Sequence, residues 1–292
     1  MRGGPVTVSK TTTLMLDGAT GIMPAILHNG EPSSGTGIII VTGGPQYRIG
    51  SHRQFVLIAR ELAAAGHAVL RFDYQGMGDS PGPLSDFEHC LPDLQKAIEQ
   101  FRSITGVKKL VLWGLCDAAS AILMLQPEKH SVDGVVIANP WVRSEAGRAR
   151  SVLKHYYVRR FFSADFWKKV LSGQFKPGKS MAELSSTYKV ASSATNDPDS
   201  HADKTTAVGG DFREKMFSGL ASFDGSVLLI ICGADLTAHE FVDFTNGQRR
   251  WRKLLSRPAV TKRTLAGADH TFSNRADRDT IVGWTIDWVE SL

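Results

Sequence analysis

The chain has 292 residues, of which 42% are hydrophobic and 22% are charged. This length can bury a core of its own, and it fits one α/β domain with an insertion better than two independent domains. No apolar run approaches the length of about 20 residues that crosses a bilayer, and residues 1–10 lack the apolar core of a signal peptide. We therefore expect no membrane span and a cytoplasmic location.

The formal net charge of +5 is concentrated in one segment. Residues 141–179 contain ten Lys or Arg and two acids, so they carry +8 and the rest of the chain carries −3 (5 − 8). No nucleic-acid-binding module accompanies them, so we expect an anionic small-molecule substrate, with a solvated helical face as the alternative. The three scattered cysteines do not suit a disulfide framework or a zinc site, and we expect no metal or other cofactor. The oligomeric state is left open.

Short apolar, β-branched runs predict strands, and longer runs with helical periodicity predict helices. The predicted strands are 7–16, 22–27, 37–42, 68–72, 110–113, 132–138, 226–232 and 260–265. The predicted helices are 54–65, 84–102, 119–125, 152–171, 239–255 and 277–292. The first two strands form an antiparallel hairpin at a sheet edge, and the alternation that follows predicts parallel strands. This alternation stops between 141 and 223, which predicts a partly flexible cap insertion in a core formed by residues 1–140 and 224–292.

A reactive side chain is predicted where the strand 110–113 passes into the following helix. Cys116 has Gly114 two residues before it and Ala118 two residues after it, which is the spacing of a nucleophile elbow, a sharp strand-to-helix turn. A helix N-terminus at this position favours the thiolate form of a cysteine. The alternative is a buried structural cysteine between a strand and a helix.

Two further residues follow the carboxyl ends of later strands, where reactive groups collect in an open parallel sheet. Asp235 follows the strand 226–232, and His270 follows the strand 260–265. With Cys116 they occur in the order nucleophile, acid, histidine, which is typical of hydrolases that carry such an elbow. We predict that Cys116 is the nucleophile, that His270 carries the proton, and that Asp235 fixes the tautomer and orientation of His270.

Backbone N–H groups near the nucleophile are expected to stabilise the negative charge that develops on the attacked oxygen. The N–H of Asp117 is one predicted donor. The glycine turn at 43–46 supplies the other, from Gly44 or Gln46, because Pro45 has no N–H; we favour Gly44. The candidate substrate-binding residues lie near this turn or in the predicted cap, and they are Gln46, Arg48, His52, Tyr157, Arg159 and Arg160. The three arginines among them are candidates for binding an anionic group.

Together these motifs resemble the α/β-hydrolase superfamily over nearly the whole chain outside the predicted cap. A narrower resemblance, to hydrolase 1 of exosortase A systems, is carried by three segments: VTGGPQYRIGSHRQF, LRFDYQGMGDS and WGLCDAAS. The cysteine nucleophile is similar to that of dienelactone hydrolase, and the GGP turn is similar to that of proline iminopeptidases. Two positions depart from the pattern, since Thr42 stands where many relatives carry histidine and Ala118 where they carry glycine. The resemblance implies a mostly parallel sheet with helices on both faces, a helical cap and a hydrolase activity.

Two functions are compatible with these residues. The first is a cysteine-dependent acyl hydrolase of the carboxylesterase or thioesterase type, which works through an acyl-enzyme. The second is a catalytically silent hydrolase-fold protein that binds an acylated or anionic partner. The complete Cys-His-Asp set favours the first. The sequence does not specify the physiological substrate, its chain length, or a preference for esters over thioesters.

Overall fold

The structure is a computed structural model, which describes residues 10–30, 35–43, 46–126, 131–142 and 211–292. The strands are β1 Lys10–Asp17, β2 Ile22–Asn29, β3 Thr36–Val41, β4 Ala68–Phe72, β5 Lys109–Leu115, β6 Gly134–Ala138, β7 Ser226–Cys232 and β8 Val260–Leu265. The α-helices are α1 Gln54–Ala64, α2 Leu91–Thr105, α3 Asp117–Met124, α4 Phe212–Ser222, α5 Leu236–Asn246, α6 Arg249–Leu255 and α7 Arg275–Glu290. No helix within these ranges is long and apolar enough to cross a membrane.

The strands form one eight-stranded sheet in the order β1-β2-β4-β3-β5-β6-β7-β8. β1 and β2 pair antiparallel at one edge, and β2 pairs antiparallel with β4. Every other pair is parallel, so the carboxyl ends of β3 to β8 meet at the same edge of the sheet. The predicted mostly parallel sheet and the predicted edge hairpin are thereby confirmed.

Helices cover both faces of this sheet and create two cores. Along β3, Ile39 and Val41 point into one core, while Ile38 and Ile40 point into the other. Helices α2 to α6 contribute to the first core, and α1 and α7 contribute to the second. Burial of each large apolar side chain stabilises the fold by about 1.5–3 kcal/mol. Because both faces of β3 are covered, its sequence is a continuous apolar run rather than an alternating one.

Two predicted helices differ from the structure. Helix α2 begins at Leu91 rather than at residue 84. Pro92 explains the difference, because proline lacks an N–H and is tolerated in the first turn of a helix but not further inside. The predicted helix 239–255 is two helices, α5 and α6, since α5 ends before Gly247.

The predicted insertion lies partly inside the core. The core unit comprises Met1–Val142 together with Asp211–Leu292. Helix α4 falls within the predicted insertion 141–223, yet its Met216 and Leu220 are buried in the first core. The described part of this segment therefore belongs to the core unit. Residues 143–210 lie outside the described residues, and a cap there stays a prediction.

Candidate active site

Cys116 occupies the sharp turn between β5 and α3. Its φ of 61° and ψ of −124° are sparsely populated for a residue with a side chain, at a cost of about 1–3 kcal/mol. Hydrogen bonds hold this backbone in place. The Cys116 N–H donates to the Ala138 carbonyl of β6 at 3.0 Å, and the Cys116 carbonyl accepts from the N–H groups of Ser120 and Trp141, both at 3.2 Å. The partly exposed thiol consequently lies at the carboxyl edge of the sheet.

Ser120 supports this turn, a role that the sequence analysis missed. Its side chain is fully buried one helical turn after Cys116. The Ser120 hydroxyl donates a hydrogen bond to the Trp141 carbonyl at 2.7 Å and accepts one from the Trp141 N–H at 2.9 Å. Its oxygen also lies 3.3 Å from the Cys116 carbonyl oxygen. The available signal was a single small polar residue within an apolar helix. Ser120 therefore fixes the segment after β6 against the elbow.

Replacing Ser120 by alanine is expected to destabilise the protein by about 1–3 kcal/mol, because both backbone groups of Trp141 lose a buried partner. Urea denaturation measures this loss. The matched control is Ser222→Ala, which removes one hydroxyl that donates to the Gly219 carbonyl at the exposed end of α4, and which should cost less than about 0.5 kcal/mol. Equal losses in the two variants would contradict the role given to Ser120.

Asp235 and His270 lie on the loops after β7 and β8 and form a direct hydrogen bond. Asp235 Oδ2 and His270 Nδ1 are 2.8 Å apart, and the carboxylate is 5% exposed. Asp235 also caps α5 by accepting the N–H groups of Thr237 at 3.0 Å and Ala238 at 3.2 Å. Because a carboxylate only accepts, Nδ1 carries a proton, and Nε2 is left for the neighbouring sulfur.

The imidazole of His270 interacts with both of the other residues. Burial lowers the pKa of His270, but hydrogen bonds to Asp235 and to Cys116, together with the charges of these two groups, raise it to about 10. Asp235 and Cys116 thus both act on the imidazole of His270. A protonated imidazole beside the sulfur is the partner that a thiolate requires.

Asp269, which directly precedes His270, binds its own loop. Its Oδ1 accepts the N–H groups of Thr271 and Ser273, both at 3.0 Å, and its Oδ2 accepts the Ser273 hydroxyl. The bond from the Ser273 hydroxyl is the main reason why the pKa of Asp269 is lowered. Asp269 therefore shapes the turn that presents His270, and Asp235 is the carboxylate that contacts the ring.

Gly43, the first residue of the glycine turn, lies against the start of α3. A Cβ atom on Gly43 would collide with Asp117 Oδ1 and would stand 2.7 Å from the Ala118 nitrogen, so the approach requires glycine. Asp117 is the first residue of α3, where backbone N–H groups point out of the helix N-terminus. Gly44 lies outside the described residues, so the choice between Gly44 and Gln46 as the second donor stays a prediction.

The candidate substrate-binding residues have different surroundings. Gln46 is half-buried, and its Oε1 has no hydrogen-bond partner within the part of the chain that the structure describes. The guanidinium of Arg48 is paired with two carboxylates of the protein, which opposes the predicted role of binding a substrate anion. His52 is exposed in the turn before α1, with a φ of 53°. Three further candidates fall outside the described ranges: Tyr157, Arg159 and Arg160.

The sequence of this chain is similar to a protein family and, over part of its length, to a human protein. A family model described as serine aminopeptidase, S33, matches residues 38–272. Human protein ABHD12B is 30% identical over 128 residues, which cover 41% of this chain and 33% of ABHD12B. The match thus spans about a third of the length of that relative.

Solved structures resemble the chain over nearly its whole length at low identity. An esterase from Pyrococcus furiosus has a TM-score of 0.63 at 12% identity, with 97% of this chain and 93% of the esterase covered. A serine hydrolase without a lid from Xanthomonas campestris has a TM-score of 0.54 at 14% identity, with 98% and 96% covered. Proline iminopeptidase from Mycobacterium smegmatis has a TM-score of 0.56 at 14% identity, with 96% and 98% covered. At these identities the likeness concerns the fold alone.

Proposed function

This chain belongs to the serine aminopeptidase S33 family of α/β-hydrolases, and on that premise we propose that it is a cysteine-dependent acyl hydrolase acting on esters or thioesters. One observation carries the proposal. Cys116 stands on the strand-to-helix elbow and raises the pKa of His270, whose Nδ1 lies 2.8 Å from Asp235 Oδ2. This is the arrangement of a nucleophile, a proton carrier and an orienting acid.

The family description names serine, and two serines, Ser80 and Ser120, are the alternative nucleophiles. Ser120 is fully buried and its hydroxyl is bound to the backbone of Trp141. Ser80 is 7% exposed, and its hydroxyl donates to the Ile22 carbonyl at 2.7 Å. Neither residue lies on the elbow. These contacts support the assignment of the nucleophile to the Cys116 thiol.

The proposed acylation starts from a thiolate–imidazolium pair. The Cys116 sulfur attacks the acyl carbon, a C–S bond forms, and the carbonyl electron pair moves onto oxygen. The N–H of Asp117 and an N–H of the glycine turn stabilise that oxygen. When the tetrahedral intermediate collapses, the bond to the leaving alcohol or thiol breaks, and His270 gives the leaving atom its proton. A neutral imidazole and an acyl-enzyme remain.

Acylation prepares His270 for the second step. Once the sulfur is part of a thioester, it no longer raises the pKa of His270, and Asp235 alone then opposes the lowering of this pKa by burial of the ring. The neutral imidazole takes a proton from water as the water oxygen attacks the thioester carbon. Cleavage of the C–S bond releases the acid and restores the thiolate beside the protonated imidazole. Asp235 holds the ring in one orientation through both steps.

Activated short-chain substrates test the proposal. We expect p-nitrophenyl acetate and an acetyl thioester to be hydrolysed, and rapid acid quenching followed by peptide mass mapping to find an acetyl group on Cys116. Protein alkylated beforehand with iodoacetamide is the control, and it should show neither hydrolysis nor an acetyl group on Cys116. Turnover without an adduct on Cys116 would reject the cysteine mechanism. No turnover and no adduct with the whole panel would favour the catalytically silent, partner-binding alternative.

The charge of residues 141–179 supports a further proposal, that the preferred acyl group carries an anion. A carboxylate-bearing ester and a neutral ester of equal size test this proposal within the same panel. We expect the anionic ester to have the higher kcat/KM, and added salt to narrow the difference, since the Debye length is about 10 Å at 0.1 M. If added salt changed the kcat/KM of both esters by the same factor, the proposal of an anionic acyl group would be rejected.

The narrower similarity to hydrolase 1 of exosortase A systems and the cytoplasmic location also stay proposals. The three segments that carry the similarity contain the glycine turn, the loop 73–80 and the elbow. A gene located beside an exosortase locus would support the similarity, and an unrelated gene neighbourhood would count against it. A reducing compartment would keep the Cys116 thiol available for catalysis.

A further inference from the structure

The end of β4 and the loop that follows it bind the residues on either side of the glycine turn. Before the turn, the Thr42 hydroxyl donates to the Phe72 carbonyl at 3.3 Å. After the turn, the Arg48 N–H donates to Asp73 Oδ1 at 2.6 Å, and Arg48 Nη1 binds Asp73 Oδ2. The described residues on either side of the turn, Thr42 and Arg48, are therefore fixed by β4 and the loop after it.

Asp73 is the centre of this arrangement. Its side chain is fully buried, and besides Arg48 it accepts the Asp79 N–H at 3.1 Å. Gly78 lies directly against it, with a φ of 53°, and a Cβ atom there would collide with the carboxyl group. The loop 73–80 thus folds around one carboxylate that binds the loop and the end of the turn at the same time.

A second carboxylate extends the contact to the protein surface. Asp79 Oδ2 accepts Arg48 Nη1 at 2.9 Å and the Tyr47 hydroxyl at 2.8 Å. The Arg48 guanidinium also lies 4.5 Å from the centre of the Tyr47 ring. The same guanidinium nitrogen therefore contacts Asp73 and Asp79, so Arg48 has two anionic partners within the protein.

Behind Arg48, a buried arginine fixes the backbone. Arg71 Nη1 donates to the Arg48 carbonyl at 2.6 Å, and Nε and Nη2 lie 3.2 and 3.0 Å from His28 Nε2. Burial, followed by the charges of Arg71 and Arg60, lowers the pKa of His28 to about 4, so His28 is a neutral acceptor at pH 7. Both backbone groups of Arg48, its N–H and its carbonyl, are consequently bound.

We propose that Arg48 and Asp73 are positioning residues: they fix the backbone two residues after Gln46, so that the N–H of Gln46, one of the two candidate second donors, is held for the oxyanion formed beside Cys116. The inference rests on the proposed function, because it requires an oxyanion at that point. Under this proposal Arg48 does not bind a substrate anion; instead it fixes the backbone that follows the turn. Arg48 should then matter for acyl transfer but not for the reactivity of the thiol itself.

Alkylation separates these two properties. Iodoacetamide reacts when the thiolate attacks its CH₂ carbon, so that a C–S bond forms, the C–I bond breaks and iodide leaves, and no oxyanion develops. Loss of a whole oxyanion donor costs about 10²–10³ in kcat. For Arg48→Met we expect kcat with p-nitrophenyl acetate to fall by about 10- to 100-fold, with a smaller change in KM. The alkylation rate of Cys116, followed by peptide mass mapping, should stay within about twofold of wild type.

Two variants serve as controls for Arg48→Met. Arg48→Lys should recover much of kcat, because one nitrogen makes both carboxylate contacts and an ammonium group can take its place. Arg250→Met breaks an exposed ion pair with Glu214, at 2.6 Å between α6 and α4, and should leave both rates unchanged. If Arg48→Met does not fold, Tyr47→Phe, which removes one contact to Asp79, provides the same comparison with a smaller effect.

The outcomes are distinct. Unchanged hydrolysis by Arg48→Met would overturn the positioning role, and so would an equal fall in hydrolysis and alkylation. Turnover by a Cys116→Ala variant would reject the proposed function and the positioning role with it. That result comes from a different variant, so the two failures can be told apart.

Discussion

Cys116→Ala should abolish ester and thioester hydrolysis, with kcat/KM falling on the order of 10⁴-fold or more, as expected when a nucleophile is removed from a triad. In the proposed mechanism the partly exposed thiol contributes chemistry rather than packing, so the thermal unfolding temperature should stay close to that of wild type. Initial rates with activated esters, measured beside a thermal melt, give both quantities. Full turnover by this variant would exclude the triad.

The other two cysteines are matched controls. Cys90 and Cys232 are buried, and burial is the main reason why the pKa of each thiol is raised to about 12. Both are therefore protonated and unreactive at pH 7. Cys90→Ala and Cys232→Ala should lose stability but keep the turnover of each folded molecule. Loss of turnover in a folded Cys232→Ala variant would move the nucleophile assignment away from Cys116.

Serine at the same position separates the nucleophile from its surroundings. In Cys116→Ser the hydroxyl has nearly the shape of the thiol but is much harder to ionise, and a site arranged for a thiolate need not activate it. We expect a large loss of kcat without complete inactivation. Activity equal to wild type would show that the site activates a hydroxyl as readily as a thiol, which contradicts a resting thiolate–imidazolium pair.

Most of the fold could be predicted because its central strands are buried on both faces. The β3 and β7 sequences contain continuous apolar runs, and such runs predict strands that are covered on both faces. The spacing of apolar residues predicted helix bounds less accurately where exposed apolar residues lie in loops. Leu84 is 79% exposed in the segment before α2, and it extended the predicted helix into that segment. The start of α2 depends instead on Pro92, whose missing N–H permits only the first turn.

The predicted site residues came from positions at strand ends, whereas their supports depend on pairings between distant parts of the chain. Arg48 and Asp73 are 25 residues apart, and they meet because β3 and β4 are neighbours in the sheet. Ser120 acts on Trp141 across 21 residues. A single sequence contains no periodic pattern that predicts contacts between residues so far apart in the chain. Charge alone therefore assigned Arg48 to a substrate anion, although the protein provides its own carboxylates.

The pH dependence of the reaction is the sharpest test of His270. Its pKa of about 10 in the folded protein lies above its ordinary value of 6.5, so the imidazole is protonated at neutral pH and loses its proton only as the pH passes about 10. Acylation needs that proton for the leaving group, so kcat/KM should fall on the alkaline side near pH 10. His270→Gln should lose activity on the order of 10³-fold or more at every pH. Any stability that protonated His270 contributes is complete below pH 6.5 and is lost towards pH 10.

Asp235→Asn should move this alkaline fall to lower pH. The hydrogen bond to Asp235 is the largest effect that raises the pKa of His270 against burial, and an amide in place of the carboxylate also disturbs the ring tautomer, with a loss of about 10²–10⁴ in kcat. Asp243→Asn, which changes a carboxylate further along α5, is the matched control. Rate profiles from pH 5 to 10.5 for wild type and both variants provide the comparison. An unshifted alkaline fall in Asp235→Asn, or equal damage from Asp243→Asn, would transfer the role of the acid to another residue.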